Sequence, residues 1–134
     1  MCLGTGSGSF TCSDVSTDNY RSHGVALGDL DGDGDLDAVF ANYNQQRNRV
    51  CLGNGSGGFT CSDAGTDAFA SSHVVLADVN RDGKLDAVFA DAASGNSEKS
   101  RLCIGNGSGG FTCSDIAADA NDSLGVAVGS FSNK

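Results

Sequence analysis

The chain contains no proline and no tryptophan in its 134 residues, only one methionine, and eight lysines and arginines against seventeen acidic residues. Without proline, turn formation falls to glycine and asparagine, and glycine alone supplies twenty residues. The formal charge of −9 argues against nucleic acid and against an anionic membrane surface, both of which select basic partners. No apolar run approaches the roughly 20 residues a membrane helix needs, so no membrane insertion is expected. A charged start followed by an apolar stretch, the mark of a secretory signal, is also missing from this chain. Aromatic residues reach 7% and hydrophobic residues 39%, which makes for a thin core that metal ions or disulfides would have to supplement. Helix signals are nearly absent.

What is present is oxygen at short, regular spacing. Asp29-Leu-Asp31-Gly-Asp33-Gly34-Asp35-Leu-Asp37 recurs as Asp78-Val-Asn80-Arg-Asp82-Gly83-Lys84-Leu-Asp86. Side-chain oxygens fall at positions 1, 3, 5 and 9, and a glycine takes the sharp turn at position 6, as a loop wrapping a hard cation requires. Position 7, Asp35 or Lys84, would give a backbone carbonyl, so its side chain is free to vary. The donors are all oxygen, which favours Ca²⁺ over transition metals, and over Mg²⁺ because that ion dehydrates reluctantly. The expected cofactor is therefore Ca²⁺ at two sites per chain. An EF-hand is excluded, because position 12 is Phe40 or Phe89 where that motif needs a bidentate Glu. The flanking runs, Val25-Ala26-Leu27 and Asp37-Ala38-Val39-Phe40 with their counterparts Val74-Val75-Leu76 and Asp86-Ala87-Val88-Phe89, read as strands. The loops would then join the first two strands of a unit.

The loops sit inside a longer repeat. Cys2-Leu-Gly-Thr-Gly-Ser-Gly-Ser-Phe-Thr-Cys12 returns at Cys51–Cys61 and again at Cys103–Cys113, offsets of 49 and 52 residues. A period near 50 residues with four short strands per unit predicts an all-β fold of β-propeller-type blades in tandem, about two and a half repeats. The organisation is one tandem-repeat domain: a half unit over 1–23, full units over 24–72 and 73–123, and the truncated start of a third over 124–134. In that third unit the first strand survives as Val126-Ala127-Val128, but the loop would begin Ser130-Phe-Ser132, so no third metal site is expected. About four blades are needed for closure, and one copy falls short.

Three copies of Cys-x9-Cys predict one bridge per unit, although six cysteines allow fifteen pairings in principle. If Gly55-Ser56-Gly57 makes the turn, Cys51 and Cys61 face each other across a hairpin; Cys2–Cys12 and Cys103–Cys113 follow. Closing each such loop stabilises by roughly 3 kcal/mol in the chain-entropy model. Disulfides and calcium together imply an oxidising, extracellular or cell-surface location.

The calcium loop, the Leu-Asp-Ala-Val-Phe strand and the Gly-Asn-Gly-Ser-Gly-Gly-Phe turn resemble the FG-GAP/VCBS repeats of integrin-like β-propellers, in their bacterial form since the proline-containing element of the animal proteins is absent. The resemblance implies a calcium-binding loop between the first two strands of each blade, with Asp29, Asp31, Asp33 and Asp37 as side-chain ligands of one site and Asp78, Asn80, Asp82 and Asp86 of the other. It also implies a secreted, surface or adhesive setting.

An enzyme is not expected. His23 and His73 lie six and five residues before their loops and neither has a nucleophile pattern beside it; both are expected on exposed strand starts. The serines fall in glycine-rich turns with no strand-to-helix elbow. Gly53-x-Gly55-x-Gly57-Gly58 lacks the lysine and helix of a phosphate loop and reads as hairpin chemistry. Two functions remain. One is a structural module that self-assembles, head-to-tail or as a ring of copies, through its exposed sheet edges. The other is surface recognition, adhesion or glycan binding by segments Val15–Ser22, Asn42–Asn48, Ala64–Ser72 and Asp91–Ser100, which carry Tyr20, Tyr43 and Phe69. Tyr20 and Phe69 correspond at the 49-residue offset, whereas Tyr43 has Ala92 as its counterpart, so the structural role is preferred.

Overall fold

Residues 1–91, 99–116 and 125–129 are described by the computed structural model of the chain, apart from the side chains of Asp67 and Phe69. Ten strands follow in order: β1 (Cys2–Gly4), β2 (Phe10–Cys12), β3 (Ser22–Gly28), β4 (Asp37–Asn42), β5 (Gln46–Gly53), β6 (Phe59–Phe69), β7 (Ser71–Ala77), β8 (Asp86–Asp91), β9 (Arg101–Gly105) and β10 (Phe111–Asp115). Among the described residues there is no helix, and none that could cross a membrane.

The strands pair antiparallel into the β1–β2 hairpin and two four-stranded sheets, β3-β4-β5-β6 and β7-β8-β9-β10, each in plain sequence order. The four-strand unit expected from the repeat is therefore present twice, and the acidic loops join the first two strands of each sheet. Register follows the repeat as well. Leu27 pairs Ala38 as Leu76 pairs Ala87, and Ser22 and Ser71 begin their strands with the same bulge one residue on. His23 and His73 are exposed on these first strands, and the His23 ring stacks on Tyr43 with centroids 4.5 Å apart.

Alternation decides how the sheets pack. On the first sheet Ala26, Val39, Ala41, Val50 and Ala64 share the face that meets Val74, Ala87, Phe89 and Cys103 of the second, and together they form the core. The second strand of each unit is buried along nearly its whole length, as a run flanked by strands on both sides must be. Phe89 is 1% exposed, and its full burial alone stabilises by about 1.5–3 kcal/mol. The inner strands β3 and β7 touch at the backbone: a Cβ on Gly24 would stand 3.1 Å from the Cα of His73.

The three disulfides are Cys2–Cys12, Cys51–Cys61 and Cys103–Cys113, each joining directly opposed residues of a hairpin, so the local pairing read from the sequence is the one found. The turns are closed as glycine chemistry predicts. Gly55 and Gly57 take φ of 67° and 86°, and the Asn54 side-chain oxygen accepts the N–H groups of Ser56 and Gly58. Asn106 does the same for Ser108 and Gly110.

One strand expectation is corrected. Residues 125–129, which carry the first-strand sequence of a third unit, do not form a strand. A strand needs a hydrogen-bonded neighbour, and residues 125–129 have none among the described residues. The stretch Ser130–Lys134, where no third metal site is expected, the unit boundary at 123/124 and most of the variable segment before Ser100 lie outside the described residues.

Candidate metal centres

In the first loop the carboxylates turn inward to organise their own backbone. Asp29 accepts the Gly32 N–H at 2.7 Å and the Gly34 N–H at 3.0 Å; Asp33 accepts that of Asp35 at 2.8 Å. The second loop keeps two of these bonds and shifts one: Asp78 accepts from Gly83 at 2.9 Å and, in place of position 4, from Asp82 at 3.1 Å, and Asp82 accepts from Lys84 at 2.9 Å. Glycine at position 6 has φ of 89° in Gly34 and 84° in Gly83, the left-handed turn the spacing called for. Position 4 needs the same turn. Gly32 supplies it at 82°, whereas Arg81 is forced to 63°, a conformation costly for a residue with a Cβ. The sequence reading missed this requirement, because only one of the two loops has glycine there.

Position 9 carries a role that spacing alone does not reveal. Asp37 and Asp86 are fully buried. One oxygen of Asp37 accepts the Leu30 N–H at 2.7 Å and the other the Gly53 N–H at 2.8 Å. Asp86 accepts from Val79 and Gly105 at 2.9 Å each. The carboxylate thus clamps the loop entry to the third strand of its unit. That third strand comes so close that a Cβ on Gly53 or Gly105 would collide with the carbonyl oxygen of Leu36 or Leu85. The recurrence of these two glycines beside the cysteines was the available signal, and it reads as turn chemistry until the strand positions are known.

Asp29, Asp31 and Asp37 each bring one carboxylate oxygen into a group within 4.8 Å, a spacing that suits a single hard cation; Asp33 lies outside that group. The Asp31 carboxyl is held above its ordinary range, first by local desolvation and then by the charges of Asp33, Asp37 and Asp29. A cation at their centre would relieve that repulsion. The second loop assembles no such carboxylate trio among the described residues. Asn80 replaces the position-3 carboxylate, and its amide donates to Asp82 at 3.1 Å. At position 7, the Asp35 carboxylate abuts Gly55 and the Lys84 stem abuts Gly107, so both side chains lean on the glycine turn of their own unit and leave the carbonyl for the loop.

The two loops, the strands between them and their 49-residue offset coincide with one further observation. Residues 29–89 match the family model of the FG-GAP-like repeat. The match runs from the first residue of one acidic loop through the whole of the next and into β8, more than one 49-residue period of this chain. This stretch of the chain is similar to an FG-GAP-like repeat. No curated protein matches the chain.

The proposed recognition aromatics are partly engaged. Arg49 lies over the Tyr20 ring, 5.9 Å from its centroid, and Tyr43 is stacked on His23. Arg49 also binds Asp18 and Asp63 at 2.8 and 2.6 Å, and Asp63 takes a second arginine, Arg47, at 2.7 Å.

Proposed function

We propose that this chain is an extracellular, non-enzymatic FG-GAP-like repeat module whose loops bind calcium and whose copies associate into a ring or filament. The observation that carries the calcium reading is the convergence of Asp29, Asp31 and Asp37 on one point, beside a position-9 clamp that the second unit repeats with Asp86. Asp29, Asp31, Asp33 and Asp37 would hold one ion with the Asp35 carbonyl. Asp78, Asn80, Asp82 and Asp86 would hold the other with the Lys84 carbonyl. The ion supplies charge neutralisation: two would take the chain from −9 to −5. The protein supplies position, since the clamped Asp37 and Asp86 fix each loop before an ion arrives. Three hairpin disulfides support an oxidising location outside the cell.

Ligand binding to the folded state alone stabilises by about 2.7 kcal/mol at a hundredfold excess over Kd. Calcium is therefore expected to raise the melting temperature of the oxidised protein. Asp33→Ala and Asp82→Ala should each remove about half of that rise, and together nearly all of it. Comparing melts with calcium and with chelator separates lost metal from lost backbone hydrogen bonds, because the latter lower both curves. An equal calcium response in all four proteins would refute the metal reading.

A further inference from the structure

The two sheets offer a test of which surfaces are covered, because the same side chains recur at the same register. The face of the second sheet that carries Val74, Leu76, Leu85 and Phe89 packs on the first sheet, and Val74 and Phe89 are 4% and 1% exposed. The matching residues of the first sheet are Val25, Leu27, Leu36 and Phe40. Val25, Leu27 and Leu36 are 56, 60 and 61% exposed. The cavity over Phe89, Arg101 and Cys103 measures about 20 Å³, while the one over Phe40, Arg49 and Cys51 measures about 470 Å³.

The outer half of that bare face is already occupied from within the chain, in the same manner as its counterpart. Leu3 of β1 lies against Gly57 as Leu52 of β5 lies against Gly109. The Val15 carbonyl oxygen lies 3.8 Å from the Cys61 sulfur, as that of Ala64 lies 3.3 Å from the Cys113 sulfur. What is missing is the inner pair, the counterparts of β3 and β4, of which the first makes the closest approach. In the covered interface the closest approach is that of β3, and it depends on two glycines. Gly24 meets the backbone at His73. A Cβ on Gly28 would stand 2.6 Å from Cδ1 of Leu85 and 3.2 Å from Cδ1 of Leu76.

The chain holds one more segment of this pattern. Gly24-Val-Ala-Leu-Gly28 recurs as Gly125-Val-Ala-Val-Gly129. In the structure residues 125–129 pair with no strand, Val128 is 44% exposed, and nothing lies within 4 Å of where a Cβ on Gly125 or Gly129 would sit. We propose that residues 125–129 of a second copy dock on Val25, Leu27 and Leu36 of the first sheet, with Gly129 seated between the two leucines and Gly125 against the backbone at Gly24. This rests on the self-association reading above and names the surfaces that join. It reproduces between copies the β3–β7 contact that each chain makes within itself, head to tail, so the contact can propagate or close.

The test is native mass of the oxidised, calcium-supplied protein, for wild type, Leu27→Glu and Gly129→Val. Both residues are exposed or uncrowded in one chain, so melting temperatures should stay close to wild type. Wild type is expected as a multimer and both variants at the mass of one chain. Mixing Leu27→Cys protein with Gly129→Cys protein should give a covalent dimer on a non-reducing gel, and neither alone should. Multimers that persist in both variants, with no cross-link, would overturn this interface while leaving self-association intact. A wild type that runs as one chain would overturn both.

Discussion

Asp63 shows how a single side chain ties neighbouring strands and leaves a measurable trace. Its carboxyl is held below the ordinary range, first by the hydrogen bond from Arg47 and then by that from Arg49. A carboxylate with a lowered folded-state pKa stabilises the fold above its unfolded value near 3.9 and loses that contribution as pH falls through the folded value. The melting-temperature gap between wild type and Asp63→Asn should therefore be full at pH 6 and shrink steadily below about pH 4. A gap constant down to pH 2 would contradict it. At this scale the sequence was informative wherever function follows from local spacing: the oxygens at positions 1, 3 and 5 of each loop are all within five residues. It was silent on Asp37 as a clamp, because the partner amide of Gly53 is 16 residues away and depends on where β5 runs. It was silent on Arg81 too, since an arginine gives no sign that its backbone is left-handed.

The element that matters most is the junction of an acidic loop with the third strand of its sheet. Gly53 donates its N–H to Asp37 while its missing side chain makes room for the Leu36 carbonyl. Gly53→Ala places a methyl group against backbone oxygen, which no rotamer change can relieve. Overpacking of this kind costs about 1–3 kcal/mol, and the loss should appear in thermal melts with chelator as well as with calcium. A deficit seen only with calcium would show that the strand contact is unimportant to the fold itself. Hairpins and their disulfides were legible in the Cys-x9-Cys period, because turn glycines and facing cysteines are local. That residues 125–129 form no strand was not, because pairing depends on a neighbour that the local sequence does not mention.

At the scale of the molecule, seventeen acidic residues against eight basic ones set up self-repulsion that is strongest when the loops hold no cation. Raising salt from about 0.02 to 0.2 M shortens the screening length several-fold. The chelated protein should gain appreciably in melting temperature over that range, and the calcium-loaded protein much less. Equal gains would mean that the loop charges do not govern stability. The tandem architecture was readable from the 49- and 52-residue offsets. Which face of each sheet meets the next was not, since alternation marks two faces in every strand and both are apolar here; only burial tells them apart.

The contact between β3 and β7 has a geometric consequence. At the inner edge the sheets approach until glycine meets backbone, whereas at the outer edge β6 and β10 are held apart by the thickness of the Cys113 side chain. Two slabs pressed together on one side and propped open on the other form a wedge. A further unit joined through the same contact would tilt the stack the same way again, so a longer array built on it is expected to trace an arc about the inner strands.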